Sequence, residues 1–325
     1  MLYRKTSAVV IALMVLLSST TQADEVKHVA ITAIVEHPSL DNIRRGIIDE
    51  LAAQGYVMGQ NLIIDFKSAQ GSSATAAQIA KQFAASKPDV IVPISTPSAQ
   101  AVAATTKTIP IVFAGITDPV AAKLVKDWNP SKTNITGVSD ALNLAPQIAL
   151  MLKLKPNLKT VGYVYSPGEI NSTAVLNNLQ QALSQHNIQV LAVPAQKTSD
   201  VAPAARSLKG KADLIYTTTD NNVVSAYEAL VKTAIEGKIP LIASDPDSVE
   251  RGAAVALAIG YYNFGRQTGK VVVRILQGEK PGDIAPTISS STELVVNPNA
   301  AKLENLSLSD EFIQSADRVI NQAPR

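Results

Sequence analysis

The chain has 325 residues, 46% of them hydrophobic, without a low-complexity tract; this excludes a disordered polypeptide and exceeds what one core usually organises. Its 29 Lys and Arg against 27 Asp and Glu leave none of the concentrated basic surface that phosphates require, so no nucleic-acid partner is expected. The absence of cysteine removes disulfides, thiolate zinc sites and Cys nucleophiles together.

At the N-terminus, Arg4 and Lys5 precede an apolar run from Ala8 to Leu17, followed by SSTTQA, with Thr21 and Ala23 at the spacing an exporting peptidase cuts. The run is far shorter than the roughly 20 apolar residues of a membrane span. It predicts a secretory signal over 1–23, cleaved after Ala23, with no following Cys to take a lipid. Its removal takes two basic side chains and leaves 27 charges of each sign. An exported, disulfide-free chain of this size points to a bacterial periplasm.

Apolar strand-like runs then alternate with helical stretches. The predicted strands are 29–35, 62–66, 90–95, 111–115, 160–165, 190–195, 214–219, 241–244 and 254–259. Amphipathic Ala-rich segments separate them; one is LDNIRRGIIDELAAQG, with Ile43, Ile47, Ile48 and Leu51 on one face and Gly55 at its end. Strands that are apolar throughout and separated by helices imply parallel sheets covered on both faces, an α/β fold.

A repeat lies within this alternation. KPDVIVPISTPSAQAVAATTK and TIPIVFAGITDPV align with KADLIYTTTDNNVVSAYEALVK and KIPLIASDPDSV, placing Asp89 over Asp213, Ser95 over Thr219, Thr96 over Asp220 and Gly115 over Asp245. Each copy runs strand, polar strand end, helix, Ile-Pro, strand, polar strand end. Two similar lobes follow, and because ligands of open parallel sheets sit beyond the carboxyl ends of the strands, both sets of ends are expected to line one cleft.

The strand ends supply the candidate ligand-binding residues. Ser95, Thr96 and Ser98 open the AQAVAATTK helix, whose free N–H groups suit an α-carboxylate; Thr117 and Asp118 lie nearby in sequence. From the second lobe come Thr219, Asp220, Asn221, Ser244 and Asp245, the two aspartates being natural partners for an ammonium. Together they describe a clamp for a zwitterion. Simple capping by Ser and Asp, and β geometry for Thr217 and Thr218, are the alternatives.

The segments HPSLDNIRRGIIDELAAQGY, STPSAQA, GITDPVAAKLV and FGRQTGKVVVRILQGEKPGDI resemble the ABC-transporter substrate-binding family that includes tryptophan- and tyrosine-binding proteins. The resemblance implies a type I periplasmic-binding-protein fold: two Rossmann-like lobes joined by three hinge crossovers and closing on ligand. It also implies an aromatic amino acid as cargo and an inner-membrane ABC permease as partner. The crossovers are placed near 134–146, 258–265 and within 287–297, giving lobe one as 24–138 with 262–290 and lobe two as 139–261 with 291–325. The protein is expected to act as a monomer.

A sugar or nucleoside is the rival cargo, and a sensing receptor the rival role. Sugar sites favour aromatic platforms, for which only Tyr261 and Tyr262 are positioned; Tyr262 is retained as a ligand candidate. Trp128 is read as a surface packing anchor and His37 as a surface residue. GRQTGKV departs from a phosphate loop in spacing and lies in a helical pattern. With no GxSxG or GxGxxG and three scattered histidines, no catalysis, metal or cofactor is expected.

Overall fold

The computed structural model describes residues 26–289 and 292–323; the predicted secretory signal lies outside them. In chain order the first lobe comprises β1 Lys27–Ala33, α1 Pro38–Ala53, β2 Leu62–Ser68, α2 Ser73–Ser86, β3 Val90–Ile94, α3 Thr96–Thr105, β4 Ile111–Ala114 and β5 Ile135–Ser139. The second comprises α4 Leu144–Leu154, β6 Thr160–Tyr165, α5 Ile170–Ser184, β7 Gln189–Pro194, α6 Val201–Arg206, β8 Leu214–Thr217, α7 Asn221–Ser225, α8 Tyr227–Gly237, β9 Leu241–Ala243, α9 Pro246–Glu250 and β10 Val255–Ile259. The chain returns to the first lobe for α10 Tyr261–Leu276 and β11 Thr287–Ile288, then ends in the second with β12 Thr292–Val296, α11 Pro298–Leu303, α12 Asp310–Gln314 and β13 Arg318–Val319.

The first sheet has the order β11-β5-β4-β3-β1-β2 and is parallel throughout; the second, β13-β12-β10-β9-β8-β6-β7, is parallel except where β10 meets β12. Strand order reverses between β1 and β3 in one sheet and between β6 and β8 in the other, where a crevice opens at the strand ends. Apolar side chains fill both faces, from Val29, Ile31, Val90 and Phe113 in the first lobe to Val161, Leu214, Tyr216 and Leu241 in the second.

Among the described residues the chain passes between the sheets at 140–143 and at Gly260, and the consecutive strands β11 and β12 lie in different sheets. Two details differ from the sequence expectation. Residues 135–139, read as part of a crossover, form β5, a strand obscured by Thr136, Gly137 and Ser139 in ITGVS. Tyr261, assigned by the sequence to lobe two, begins α10, which packs on lobe one.

The internal repeat has a physical counterpart. Asp89 accepts the His28 amide at 2.7 Å, and its repeat partner Asp213 accepts the Lys159 and Thr160 amides at 3.0 and 2.9 Å. Each carboxylate satisfies an otherwise free donor at the start of its lobe's first strand.

The glycines of GRQTGKV serve packing rather than phosphate binding. A Cβ on Gly265 would lie 2.2 Å from the Ile43 carbonyl oxygen, and one on Gly269 would lie 2.6 Å from the Glu50 Cβ, so α10 and α1 approach closely. Glu50, 1% exposed, there accepts from the Arg266 guanidinium at 2.6 Å. Gly265→Ala is expected to cost about 2 kcal/mol through overpacking against backbone, read as a lower urea midpoint at unchanged slope.

Candidate functional site

Between the lobes lies a cavity of about 310 Å³, within the range of roughly 300–1,000 Å³ typical of small-molecule sites. Its lining is mixed: Leu142, Pro146, Val175, Leu257 and Ile259 give apolar surface, and Asn143, Gln147, Ser244 and Thr292 give polar surface among them. Its narrow end runs into a polar gap of about 10 Å³, room for a single water, with Thr117, Asp140, Thr219 and Tyr261 lining both spaces.

Asp140 dominates that end. Ser139, the last residue of β5, fixes the crossover: its hydroxyl donates to the Ile116 carbonyl at 2.6 Å and accepts the Ala141 amide at 3.0 Å. Asp140 follows, buried, with Oδ2 accepting from the Tyr261 hydroxyl at 3.0 Å and Oδ1 without a partner. Burial raises its pKa, opposed first by the hydrogen bond from Tyr261. A buried carboxylate with one free oxygen is a natural acceptor for an ammonium, while the Thr117 and Thr219 hydroxyls beside it can donate to a carboxylate.

The lobes touch around this space. The Ser39 hydroxyl donates to Asp245 Oδ1 at 3.4 Å, the Asn42 amide donates to Asp247 Oδ1 at 2.9 Å, and the Asn221 amide meets the Ser95 hydroxyl at 3.1 Å. Ser95 holds φ +75° at the start of α3, a conformation rare for a residue with a side chain, and it lines the polar gap. His37, read from sequence as a surface residue, is instead 5% exposed at the N-terminus of α1, its pKa lowered to about 3 by burial and then by the Arg251 charge.

The other sequence candidates divide sharply. Thr117, Thr219 and Ser244 line the cavity, and Asn221 lines the polar gap, held by the Ser95 contact and by donating to Glu169 Oε2 at 2.6 Å. Burial and then the neighbouring Asp220 charge raise Glu169 to about 7. Asp118 does not line the cavity but an adjoining chamber, and its Oδ1 accepts the Val120 and Ala121 amides. Thr96 and Ser98 are buried in the first turn of α3 and line neither space.

Three further candidates have other partners in this structure. Asp220 is not available to an ammonium: its carboxylate accepts the Ser166 amide at 2.6 Å, the Ser166 and Ser172 hydroxyls at 2.7 and 2.6 Å, and the Val223 amide at 3.0 Å. Asp245 likewise lies outside the cavity, fully buried, capping α9 through the Ser248 amide and hydroxyl while receiving Ser39; burial raises its pKa to about 6. Tyr262 faces α1, donating to Asp49 Oδ2 at 2.9 Å beneath the Arg45 guanidinium, so Tyr261 is the aromatic wall of the cavity.

Two features went unread in the sequence. Thr217 and Thr218 pair with the Tyr227 and Tyr163 hydroxyls at 3.0 and 2.7 Å, a buried polar network beneath the cleft. Trp128 lines a second chamber of about 370 Å³ that shares Thr117, Ala141, Leu142 and Val175 with the first. Ala174 and Asn178 of α5 line that chamber with it.

Residues 28–320 match the model of the ABC transporter substrate binding protein family. The chain belongs to that family. This substrate-binding protein is 38% identical to the tyrosine-binding protein of Clostridioides difficile (strain R20291), over 87% of this chain and 82% of the relative. It superposes on the structure of an ABC domain in complex with L-Trp from Streptococcus pneumonia with a TM-score of 0.86 at 33% identity, covering 90% of this chain and 99% of that one. The ligand-free, open structure of a Clostridium difficile substrate-binding protein with adhesive properties gives a TM-score of 0.69 at 36% identity, covering 91% and 99%. The better fit to the less identical L-Trp complex accords with the hydrogen bonds that draw these lobes together.

Proposed function

We propose that this substrate-binding protein captures an aromatic amino acid between its lobes, outside the cytoplasm, and presents it to the permease of an ABC importer. One observation carries the proposal: a cavity with Leu142, Val175, Leu257 and Ile259 in its walls is also lined by Asp140, whose buried Oδ1 lacks a partner, and by Thr117 and Thr219. The ammonium pairs with Asp140, the carboxylate takes the threonine hydroxyls, and the ring lies against Leu142, Val175, Leu257 and Ile259. The names of the tyrosine-binding relative and of the L-Trp complex support this cargo. Arg4, Lys5 and the short apolar run to Leu17 support export, and no helix of the described residues is long and apolar enough to cross a membrane.

The energetics are adequate. Burying ~200 Å² of aromatic surface at ~25 cal/mol per Å² supplies about 5 kcal/mol, and charge-assisted hydrogen bonds supply the few more that reach about −8 kcal/mol, micromolar affinity. Protein refolded to strip carried ligand is to be screened by thermal shift against the amino acids, several sugars and nucleosides. Tryptophan or tyrosine should raise the melting temperature most, by mass action. A sugar or nucleoside as the strongest stabiliser would overturn the proposal.

A further inference from the structure

We infer that Gln147 makes this site selective for aromatic rings that carry a hydrogen-bond donor, an indole N–H or a phenol O–H, over rings without one. The inference rests on the aromatic cargo proposed above and goes beyond it by naming the side chain that distinguishes one aromatic ligand from another.

Gln147 lies in the first turn of α4, lines the cavity and is 2% exposed. Its Nε2 donates to the Leu257 carbonyl of β10 at 2.7 Å. A carbonyl can only accept, so the amide nitrogen must face Leu257 and the oxygen is turned away from it. That oxygen, Oε1, is buried without a partner. Pro146, Val175 and Leu257 line the same cavity.

Two residues that line the cavity thus carry a buried oxygen without a partner, Asp140 Oδ1 and Gln147 Oε1, and both oxygens only accept while Asp140 is ionised. An amino acid's ammonium satisfies one. An aliphatic or plain phenyl side chain leaves the other unpaired, whereas an indole or phenol supplies its missing donor. Sites built around a buried acceptor reject ligands without the donor, because the acceptor has already been removed from water. Rotating the amide offers no escape, since the oxygen would then face the Leu257 carbonyl oxygen.

The test alters the ligand first, leaving the protein intact. Calorimetry on the refolded wild-type protein compares L-tryptophan with β-(3-benzothienyl)-L-alanine, in which sulfur replaces the ring N–H, and L-tyrosine with 4-fluoro-L-phenylalanine. Each donor-bearing ligand is expected to bind at least about tenfold tighter than its donor-free counterpart. In Gln147→Leu both ratios should fall to within about twofold of unity. Equal binding within the pairs on wild-type protein overturns this inference and leaves the aromatic reading standing. Failure of all four ligands to bind overturns both.

Discussion

Asp140→Asn is expected to weaken binding of the cognate amino acid by about 2–5 kcal/mol, at least thirtyfold at neutral pH, measured by calorimetry. The substitution keeps the shape and an acceptor for the Tyr261 hydroxyl but removes the charge that an ammonium would meet. Stability should move the other way. Burial raises the pKa of Asp140, so between the ordinary carboxylate value near 4 and its folded value the native state holds a proton that the unfolded chain has shed, and stability falls as pH rises through that window. Asparagine carries no such penalty, so the variant should melt no lower than wild type at pH 7. Binding has its own pH signature: the ionised carboxylate takes the ammonium, so affinity falls as acid protonates Asp140, starting above the usual carboxylate range. Glu169 at about 7 and Asp245 at about 6 titrate nearby; the component absent from Asp140→Asn belongs to Asp140.

Asp220→Ala is expected to act on folding. It strands four buried donors, from Ser166, Ser172 and Val223, that converge on one carboxylate and tie β6, α5 and α7 together. Hydrogen bonds to a charged group contribute about 1.5–3 kcal/mol each and do not add fully, so a loss of about 4 kcal/mol, on the order of 10 °C in melting temperature, is the expected result. Scanning calorimetry of the ligand-free variant reads it directly. An unchanged melting temperature with a selective loss of affinity would restore Asp220 to the ligand, against the geometry.

The same sequence pattern, a strand closing in hydroxyl and carboxylate, thus serves two purposes. In TTTD the aspartate organises its own lobe, while in VSD, residues 138–140, it reaches the cavity with an oxygen to spare. The sequence carries the strand ends, the paired lobes and the alternation that builds both sheets, because apolar runs and polar punctuation are local signals. It does not carry which carboxylates are already satisfied, since Ser166 and Ser172 meet Asp220 from 54 and 48 residues away. Asp140 escaped notice because β5 is too short and polar to read as a strand, which left its last residues looking like linker. Gln147 offered no signal at all: a lone glutamine in an apolar helix gains meaning only when the Leu257 carbonyl pins its nitrogen.

A crystal structure of the refolded protein with L-tryptophan or L-tyrosine measures the arrangement itself. The ligand nitrogen is predicted within about 3 Å of an Asp140 carboxylate oxygen, with the ring among Leu142, Val175 and Ile259. An amino acid seated elsewhere, or one whose ammonium meets water while Asp140 stays bonded only to Tyr261, would contradict it.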